Sequence, residues 1–358
     1  MSSASVDHLT KKVICPGRVN LIGDHTDYAH GLAMPIAINL FTQTEFYSNE
    51  KSNFLNVTTE TIVDQEPTIE KLRLDFNNIE ISNRLAKFIA SAVDVLGVTP
   101  TGSLRITSTL PIGAGLSSSA SFVIALLLSF KDLDLDLHLA KLAQDVEHKA
   151  TSAATGLLDQ LAIIFAKKGT ASLINFSDNS MENIRIPEDL QILIIHSGIE
   201  RKLSNSNYTL KVNAVQLIEE RYGKLNEMLP TDANAITDPE LKQIARHIVS
   251  ENRRVIEYSE ALMANDVGAL KEIISQSHNS LSRDYSVSLP EIDHLVSAVN
   301  SIEGVIGARL TGGGYGGCIV ALTQKEQLDQ SEILNLQQPT WFIESADAPI
   351  QISQPNIS

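Results

Sequence analysis

The chain has 358 residues, of which 43% are apolar and 20% charged, an ordinary composition for a globular protein of one large or two medium-sized domains. Its formal net charge of −15 argues against a surface for nucleic acid or anionic membranes, since both need clustered Lys and Arg. Cys15 and Cys318 have no partner at a metal-ligand or disulfide spacing, which argues against structural zinc and a disulfide framework.

No membrane or export signal is visible in the sequence. The first twelve residues lack the apolar core of a signal peptide, and the longest apolar run, Phe122 to Phe130, is too short to cross a bilayer. We therefore expect a cytoplasmic protein. No pattern specifies an oligomer, so a monomer is the default expectation.

The first segment that carries chemistry runs from Pro16 to Tyr28, here called the signature segment. It places Arg18, Asp24, His25 and Asp27 between turn-forming glycines. Such a set can donate and accept hydrogen bonds to several hydroxyl groups at once, as a polyol requires. Two alternatives stay open for the segment alone: a metal site, since His and carboxylates are ligands, and a solvated turn.

The next pattern is a strand that leads into a glycine loop and a helix. Leu104 to Leu110 alternates apolar with polar residues, which predicts a half-buried strand. The loop that follows, Pro111 to Ser121, is rich in Gly and Ser, and an apolar helix is predicted beyond Ser119. Backbone N–H groups at such a helix start favour a phosphate. The loop is neither a Walker A loop nor a dinucleotide fingerprint, and a loop without a ligand is the alternative.

Two carboxylates follow in helical surroundings. The stripe from His138 to Ala150 predicts a helix with Glu147 at the edge of its apolar face. Asp159 lies among leucines in the stretch Gly156 to Gln160, where burial is costly unless the group is paired or used. A helix cap or a structural salt bridge explains Asp159 equally well on this segment alone.

The second half continues with a buried strand and a set of helices. Gln191 to His196 predicts a strand, and the later elements are predicted helices at Thr209 to Met228, Pro239 to Ala264 and Leu270 to Asn279, with strands at Gly304 to Leu310 and Ile319 to Leu322. Thr311 to Gly317, the third glycine loop, joins the last two strands. Ser180 to Pro187 is the least structured stretch, so we predict domains at 1–180 and 181–358.

In this order, the segments resemble the GHMP kinases, and among them the galactokinase family. Gly17 to Tyr28 is similar to the family's N-terminal signature, and Pro111 to Ser121 is similar to its phosphate loop. Gly307 to Cys318 matches the third motif, and Ser280 to Glu291 is a fourth match. The matches extend from residue 14 to about residue 322.

The resemblance implies an α+β, two-domain GHMP kinase fold with ATP in the cleft between the domains. The N-terminal domain would be like domain 2 of ribosomal protein S5, and the C-terminal domain would be ferredoxin-like. By position, Arg18 and Asp159 match the catalytic residues, and Ser119 and Glu147 match the magnesium ligands. The sugar-binding positions fall on Asp24, His25, Asp27, Gly156 and Tyr208. The ATP-binding positions fall on Gly113, Ala114, Gly115, Leu116, Ser117, Ser118, Ser119 and Ala120.

The implied reaction is phosphorylation of a sugar, with galactose and its C1 hydroxyl as the expected acceptor and Mg-ATP as the donor. Asp159 would take the hydroxyl proton as a general base, or would only orient the hydroxyl if the proton leaves late. Arg18 would stabilise the charge that spreads over the transferred phosphoryl group. Mg²⁺, held by Ser119 and Glu147, would neutralise the triphosphate.

Departures from the family pattern keep other functions open. Asp24 stands where the family has Glu, one methylene longer. The tryptophan that family members use near adenine has no match, and Leu85 is the nearest candidate for its position. A kinase for an amino sugar or a uronic acid is therefore an alternative. A mevalonate or homoserine kinase fits the polar signature segment less well. A silent sensor of sugar and ATP would be expected to lack Asp159 or an intact phosphate loop, and a metal-dependent hydrolase would leave the glycine loops unexplained.

Overall fold

A computed structural model gives the fold and describes residues 8–63, 66–76, 83–111, 113–152, 156–199 and 205–353. In the first half the strands are β1 (His8–Ile22), β2 (Leu32–Ser48), β3 (Leu55–Val63), β4 (Glu66–Leu74), β5 (Gly102–Ser108), β6 (Thr170–Asn175) and β7 (Ser180–Arg185). The helices of that half are α1 (Arg84–Leu96), α2 (Ser118–Phe130), α3 (Leu137–Thr151) and α4 (Leu158–Ile164).

The second half has fewer strands and longer helices. Its strands are β8 (Leu190–His196), β9 (Val305–Leu310), β10 (Cys318–Gln324), β11 (Thr340–Ile343) and β12 (Ile350–Ser353). Its helices are α5 (Asn205–Tyr222), α6 (Pro230–Ala235), α7 (Pro239–Met263), α8 (Val267–Arg283), α9 (Pro290–Asn300) and α10 (Gln330–Asn335). Among the residues described, no helix is both long and apolar enough to cross a membrane.

The first sheet has the strand order β12-β1-β2-β5-β3-β4, with β6 paired to β2 and β7 to β6. All its pairs are antiparallel except β3 with β5. Its apolar face is covered by the helices of the first half, among which α2 is apolar almost all round and almost completely buried. Because α2 is fixed on several sides, the loop before it has a rigid support.

The second sheet has the order β11-β8-β10-β9 and is antiparallel throughout. The chain order of strand, helices, two strands, helix and strand is that of a ferredoxin-like unit. β8 is buried on both faces: Ile192 and Ile194 pack with residues of the first half, whereas Leu193 and Ile195 pack with the helices of the second. The two halves therefore share a continuous apolar core.

Most predicted elements and the predicted fold class are confirmed. The prediction that Ser180 to Pro187 is the least structured stretch is wrong, because most of it forms β7. The predicted helix from Thr209 to Met228 ends early, at Tyr222, since Gly223 adopts a φ of 96° and its N–H donates to the Glu219 carbonyl. The first sheet also crosses the predicted division at residue 180, since it includes β7 and β12.

Candidate active site

An arginine–aspartate pair lies at the centre of the site. Arg18, on β1, donates from Nε to Asp159 Oδ1 at 2.9 Å and from Nη2 to the same oxygen. Its Nη1 donates to the Gly115 carbonyl at 2.7 Å, and its backbone N–H donates to the Leu116 carbonyl. The Arg18 side chain is only 7% exposed, whereas Asp159 is 28% exposed at the start of α4. The pair thus joins β1 to the phosphate loop and leaves the aspartate open to a ligand.

The phosphate loop and the third glycine loop lie against each other. Gly113, Gly115 and Ser117 all have positive φ values, between 58° and 80°, just before α2 begins at Ser118. A Cβ atom added to Gly317 would lie 3.2 Å from the Ala114 carbonyl oxygen. Glycines on both sides therefore allow two stretches of backbone to approach closely beside a helix N-terminus, where a phosphate is favoured.

A buried carboxylate lies next to the phosphate loop. Glu147, on α3, accepts hydrogen bonds from the Ser119 hydroxyl and from Gln160 Nε2. Burial raises the pKa of Glu147 to about 7, and the negative charge of Asp159 adds to the rise. Within the part of the chain that the structure describes, no group of three or more His, Cys, Asp or Glu side chains could by itself hold a metal ion.

A second carboxylate lies beside the catalytic pair. Asp27 begins the 3₁₀ turn at the end of the signature segment, and its Oδ2 lies so close to Gly156 that a Cβ atom added to Gly156 would overlap with it. Burial raises the pKa of Asp27 to about 7, and the negative charge of Asp159 also raises it. The structure thus places Asp27 against Gly156 and close enough to Asp159 for their charges to interact, and sugar binding by Asp27 and Gly156 stays a prediction.

Aromatic rings form one wall next to Asp27. His25 has a φ of 66°, and its Nδ1 lies 2.8 Å from the Tyr28 hydroxyl. That hydroxyl is 2.6 Å from the hydroxyl of Tyr285, whose ring is tilted over His25 at a centroid distance of 4.6 Å. The ring of Tyr208 meets Tyr28 edge-on at 5.5 Å. The predicted residues His25 and Tyr208 therefore belong to one cluster.

Asp24 differs from the other predicted sugar-binding residues in its surroundings. It is 4% exposed, and both of its carboxylate oxygens are engaged. Oδ1 accepts from the Gly312 backbone N–H at 2.8 Å, and Oδ2 accepts from Arg309 Nη2. Burial raises the pKa of the Asp24 carboxyl, and the charge of Arg309 opposes that rise.

The remaining predicted residues contribute backbone or packing. Leu116 and Ala120 have buried side chains, and Ser118 forms the first turn of α2. Ile112, within the phosphate loop, lies outside the described residues. Leu85 is partly buried on α1, packed against the apolar core of the first half, and its match to the family's tryptophan position stays a prediction.

Several residues of the site were missed by sequence reasoning. Gln160 and Tyr285 lay inside segments that the sequence analysis singled out, but no role was predicted for them. Glu251 and His247 lay on a predicted helix and were not noticed. The signal for the last two was present: they are one helical turn apart, on a largely apolar face that also carries Arg254. A charged residue in an apolar stripe predicts a buried partner, but not which one.

The chain matches three family models. Galactokinase galactose-binding signature covers residues 10–45, GHMP kinases N terminal domain covers residues 81–167, and GHMP kinases C terminal covers residues 258–338. The first of these includes Arg18, Asp24, His25 and Asp27.

Known proteins resemble the chain over most of its length. It is 34% identical to a galactokinase of Thermococcus kodakarensis, over 87% of this chain and 89% of that one, and 33% identical to a human galactokinase, over 87% and 83%. Among solved structures, Lactococcus lactis galactokinase complexed with galactose superposes with a TM-score of 0.81 at 25% identity, covering 96% of this chain and 95% of that chain.

Proposed function

The chain belongs to the galactokinase family of the GHMP kinases, and we propose that it transfers the γ-phosphate of ATP to the C1 hydroxyl of galactose with Asp159 as the proton acceptor. Use of ATP and phosphorylation of galactose follow from the family. The hydrogen bonds of the two carboxylate oxygens support this role for Asp159. Both hydrogen bonds from Arg18 end on Oδ1, and no described group donates to Oδ2.

In the proposed step, the C1 oxygen attacks the γ-phosphorus as the bond to the β–γ bridging oxygen breaks. The hydroxyl proton passes to Asp159 Oδ2, and ADP leaves with the bridging oxygen. Arg18 is only 7% exposed, so its charge acts in a poorly solvated place beside the transferred group. Its bond to the Gly115 carbonyl keeps the guanidinium in register with the phosphate loop.

The sugar would be held by the polar groups around Asp27. The Asp27 carboxylate accepts hydrogen bonds from hydroxyls, and Gly156 supplies the space beside it. His25 and Tyr208 offer ring faces and polar ring atoms at the adjacent wall. These residues support a polyhydroxylated ligand, and the galactose-binding signature that matches residues 10–45 favours galactose among the sugars considered.

The triphosphate would lie on the phosphate loop, from Gly113 to Ala120, at the N-terminus of α2. Ser119 and Glu147 fit Mg²⁺, because a hydroxyl and a carboxylate are hard oxygen ligands and the two already touch each other here. When bound, Mg²⁺ would neutralise charge on the β- and γ-phosphates. Gln160 also donates to the Glu147 carboxylate and helps to orient it.

The test is an ADP-release assay with Mg-ATP on galactose, glucose, N-acetylgalactosamine, galacturonate and mevalonate. We expect turnover on galactose and a fall in kcat of about 10²- to 10⁴-fold in Asp159→Asn, the usual contribution of a general base. Asp134→Asn is the matched control, since Asp134 is exposed in the connection between α2 and α3.

Other outcomes separate the alternatives. Turnover only on the amino sugar or the uronic acid would refute galactose as the substrate. Full kcat in Asp159→Asn would refute the proton-acceptor role and leave an orienting role. Binding of galactose and ATP without turnover in the unaltered chain would refute the kinase and favour a sensor.

A further inference from the structure

Four charged side chains form a buried cluster behind the sugar site, here called the buried anchor: Asp24, Glu251, Arg254 and Arg309. None is more than 7% exposed, and Glu251 and Arg309 are completely buried. The two acids and two bases come from the signature segment, α7 and β9. A cluster this deep is stable only if each charge has a close partner.

Glu251 connects the members. Its Oε2 accepts from Arg254 Nε at 2.7 Å, and its Oε1 accepts from the Ser277 hydroxyl at 2.6 Å and lies 3.7 Å from Arg309 Nη2. Burial alone would raise the pKa of Glu251, but the charges of Arg254 and Arg309 outweigh it and lower the pKa to about 2. Glu251 is therefore an ionised group at neutral pH, and Arg309 lies between its charge and Asp24.

The anchor also holds the backbone of the signature segment. The Gly23 N–H donates to Glu251 Oε1 at 3.0 Å, and the Asp24 carbonyl oxygen lies 3.1 Å from His247 Nε2. The Asp24 carboxylate is engaged by Arg309 and Gly312, as described above. The next residue, His25, has a φ of 66°, a conformation that is unfavourable for residues other than Gly. Such a conformation persists only when the surrounding structure holds it.

The anchor reaches the phosphate side as well. Gly312, whose N–H binds Asp24, begins the turn of the third glycine loop, and a Cβ atom on it would lie 3.6 Å from the Gly115 carbonyl oxygen. Arg309 Nη1 donates to the Leu21 carbonyl at 2.8 Å, which joins β9 to β1. The buried anchor thus sets the position of residues 23–27, here called the sugar-binding turn. It also sets the position of the third glycine loop, which packs on the phosphate loop.

We propose that Asp24 is a positioning residue and not a sugar ligand, and that Glu251 and Arg309 act through it to hold the sugar-binding turn and the third glycine loop in register. This inference rests on the proposed function. It replaces the sequence-based expectation for Asp24, since this residue is only 4% exposed and each of its carboxylate oxygens already accepts a hydrogen bond from a protein group. It also gives a role to Glu251, which lies outside every matched motif named in the sequence.

The two roles of Asp24 predict different kinetics. If Asp24 binds a sugar hydroxyl directly, its substitution should change only the KM for galactose. It should not change the KM for the one deoxy sugar that lacks this hydroxyl. If Asp24 is a positioning residue, its substitution should raise the KM for galactose and the KM for ATP together. The KM for every deoxy sugar should then rise by the same factor. Glu251→Gln adds an independent test, because Gln keeps the acceptor for Gly23 but removes the charge.

The experiment measures KM and kcat for galactose, for its 2-, 3-, 4- and 6-deoxy analogues and for ATP in the unaltered chain, Asp24→Asn and Glu251→Gln. We expect the KM values for galactose and ATP to rise about tenfold in Asp24→Asn, as a lost charged hydrogen bond gives. A smaller rise in both is expected in Glu251→Gln. Glu257→Gln is the matched control on the same helix, where Glu257 pairs with Arg253 at the surface.

A penalty that disappears with one deoxy sugar, with the KM for ATP unchanged, would overturn the proposal and make Asp24 a ligand. A lower thermal midpoint in Glu251→Gln with unchanged KM values would show that the anchor is only structural. If Asp24→Asn does not fold, Glu251→Gln decides alone. Absence of galactose turnover in the unaltered chain would instead refute the proposed function, and so the two failures are distinguishable.

Discussion

Replacing Glu147 by Gln should make the ligand-free protein more stable while it abolishes the proposed magnesium site. Burial raises the pKa of Glu147 from 4.5 to about 7, so the folded state favours the neutral carboxyl. Below pH 4.5 the Glu147 carboxyl is protonated in both the folded and the unfolded chain, so its burial does not lower the free energy of unfolding. Above pH 7 the full cost applies, ~3 kcal/mol of unfolding free energy at ~1.4 kcal/mol for each pH unit. Gln removes this cost and still accepts from Gln160.

The assay is thermal unfolding at pH 8 and pH 5 without Mg²⁺ or nucleotide. At ~2.1 cal/mol/K per residue, the 358 residues give an unfolding entropy of ~0.75 kcal/mol/K, so we expect the midpoint to rise by about 4 °C at pH 8. At pH 5 the difference should shrink to about 1 °C, since most of the cost is then absent. Glu326→Gln, at an exposed position, is the matched control.

Adding Mg-ATP should reverse the order, because only the unaltered chain keeps the carboxylate that the metal would use. A Glu147→Gln midpoint at or below that of the unaltered chain at pH 8 would refute the reasoning about burial. A gain of equal size at pH 5 and pH 8 would show that it does not come from ionisation of Glu147.

Gly156→Ala should reduce kcat/KM for galactose by about 100-fold, because the methyl group of the alanine would displace the Asp27 carboxylate. An unchanged kcat/KM would contradict the close packing of Asp27 against Gly156. Gly317→Ala should instead raise the KM for ATP, since a φ of 84° and the nearby Ala114 carbonyl both oppose a side chain, and an effect confined to galactose would count against this. Tyr285→Phe should raise the KM for galactose about threefold by removing one hydroxyl partner of Tyr28, with no change in the KM for ATP.

Local patterns predicted the parts of the site that follow one another in the chain. The strand, glycine loop and helix around Ser117 were predictable because a change from alternating to helical periodicity marks them. The charges of the signature segment were equally visible. The strand, the glycine loop and the start of the helix depend mainly on their own residues for their conformation, so one sequence suffices there.

Features that depend on distant residues were not predictable in the same way. The pair of Asp24 and Arg309 joins positions 285 apart, and nothing near Asp24 indicates that its oxygens are occupied. β7 was missed because only Ile184 among its residues is buried, so its periodicity is weak. Sequence reasoning therefore placed Asp24 at the right motif but could not supply its partners.

The last strand of the chain pairs with the first sheet, and this has a consequence for how the protein can be divided. β12 lies beside β1, and the connection leading to it is held on β2, where the Ala346 N–H donates to the Ala37 carbonyl at 3.0 Å. A fragment ending at residue 187 would contain β1 to β7 but expose the edge of β1. Its complement would carry an unpaired strand that matches this edge. Pairing of β12 with β1 is therefore expected to add to the shared apolar core when separately produced halves complement each other, and removing residues 350–353 should weaken their association.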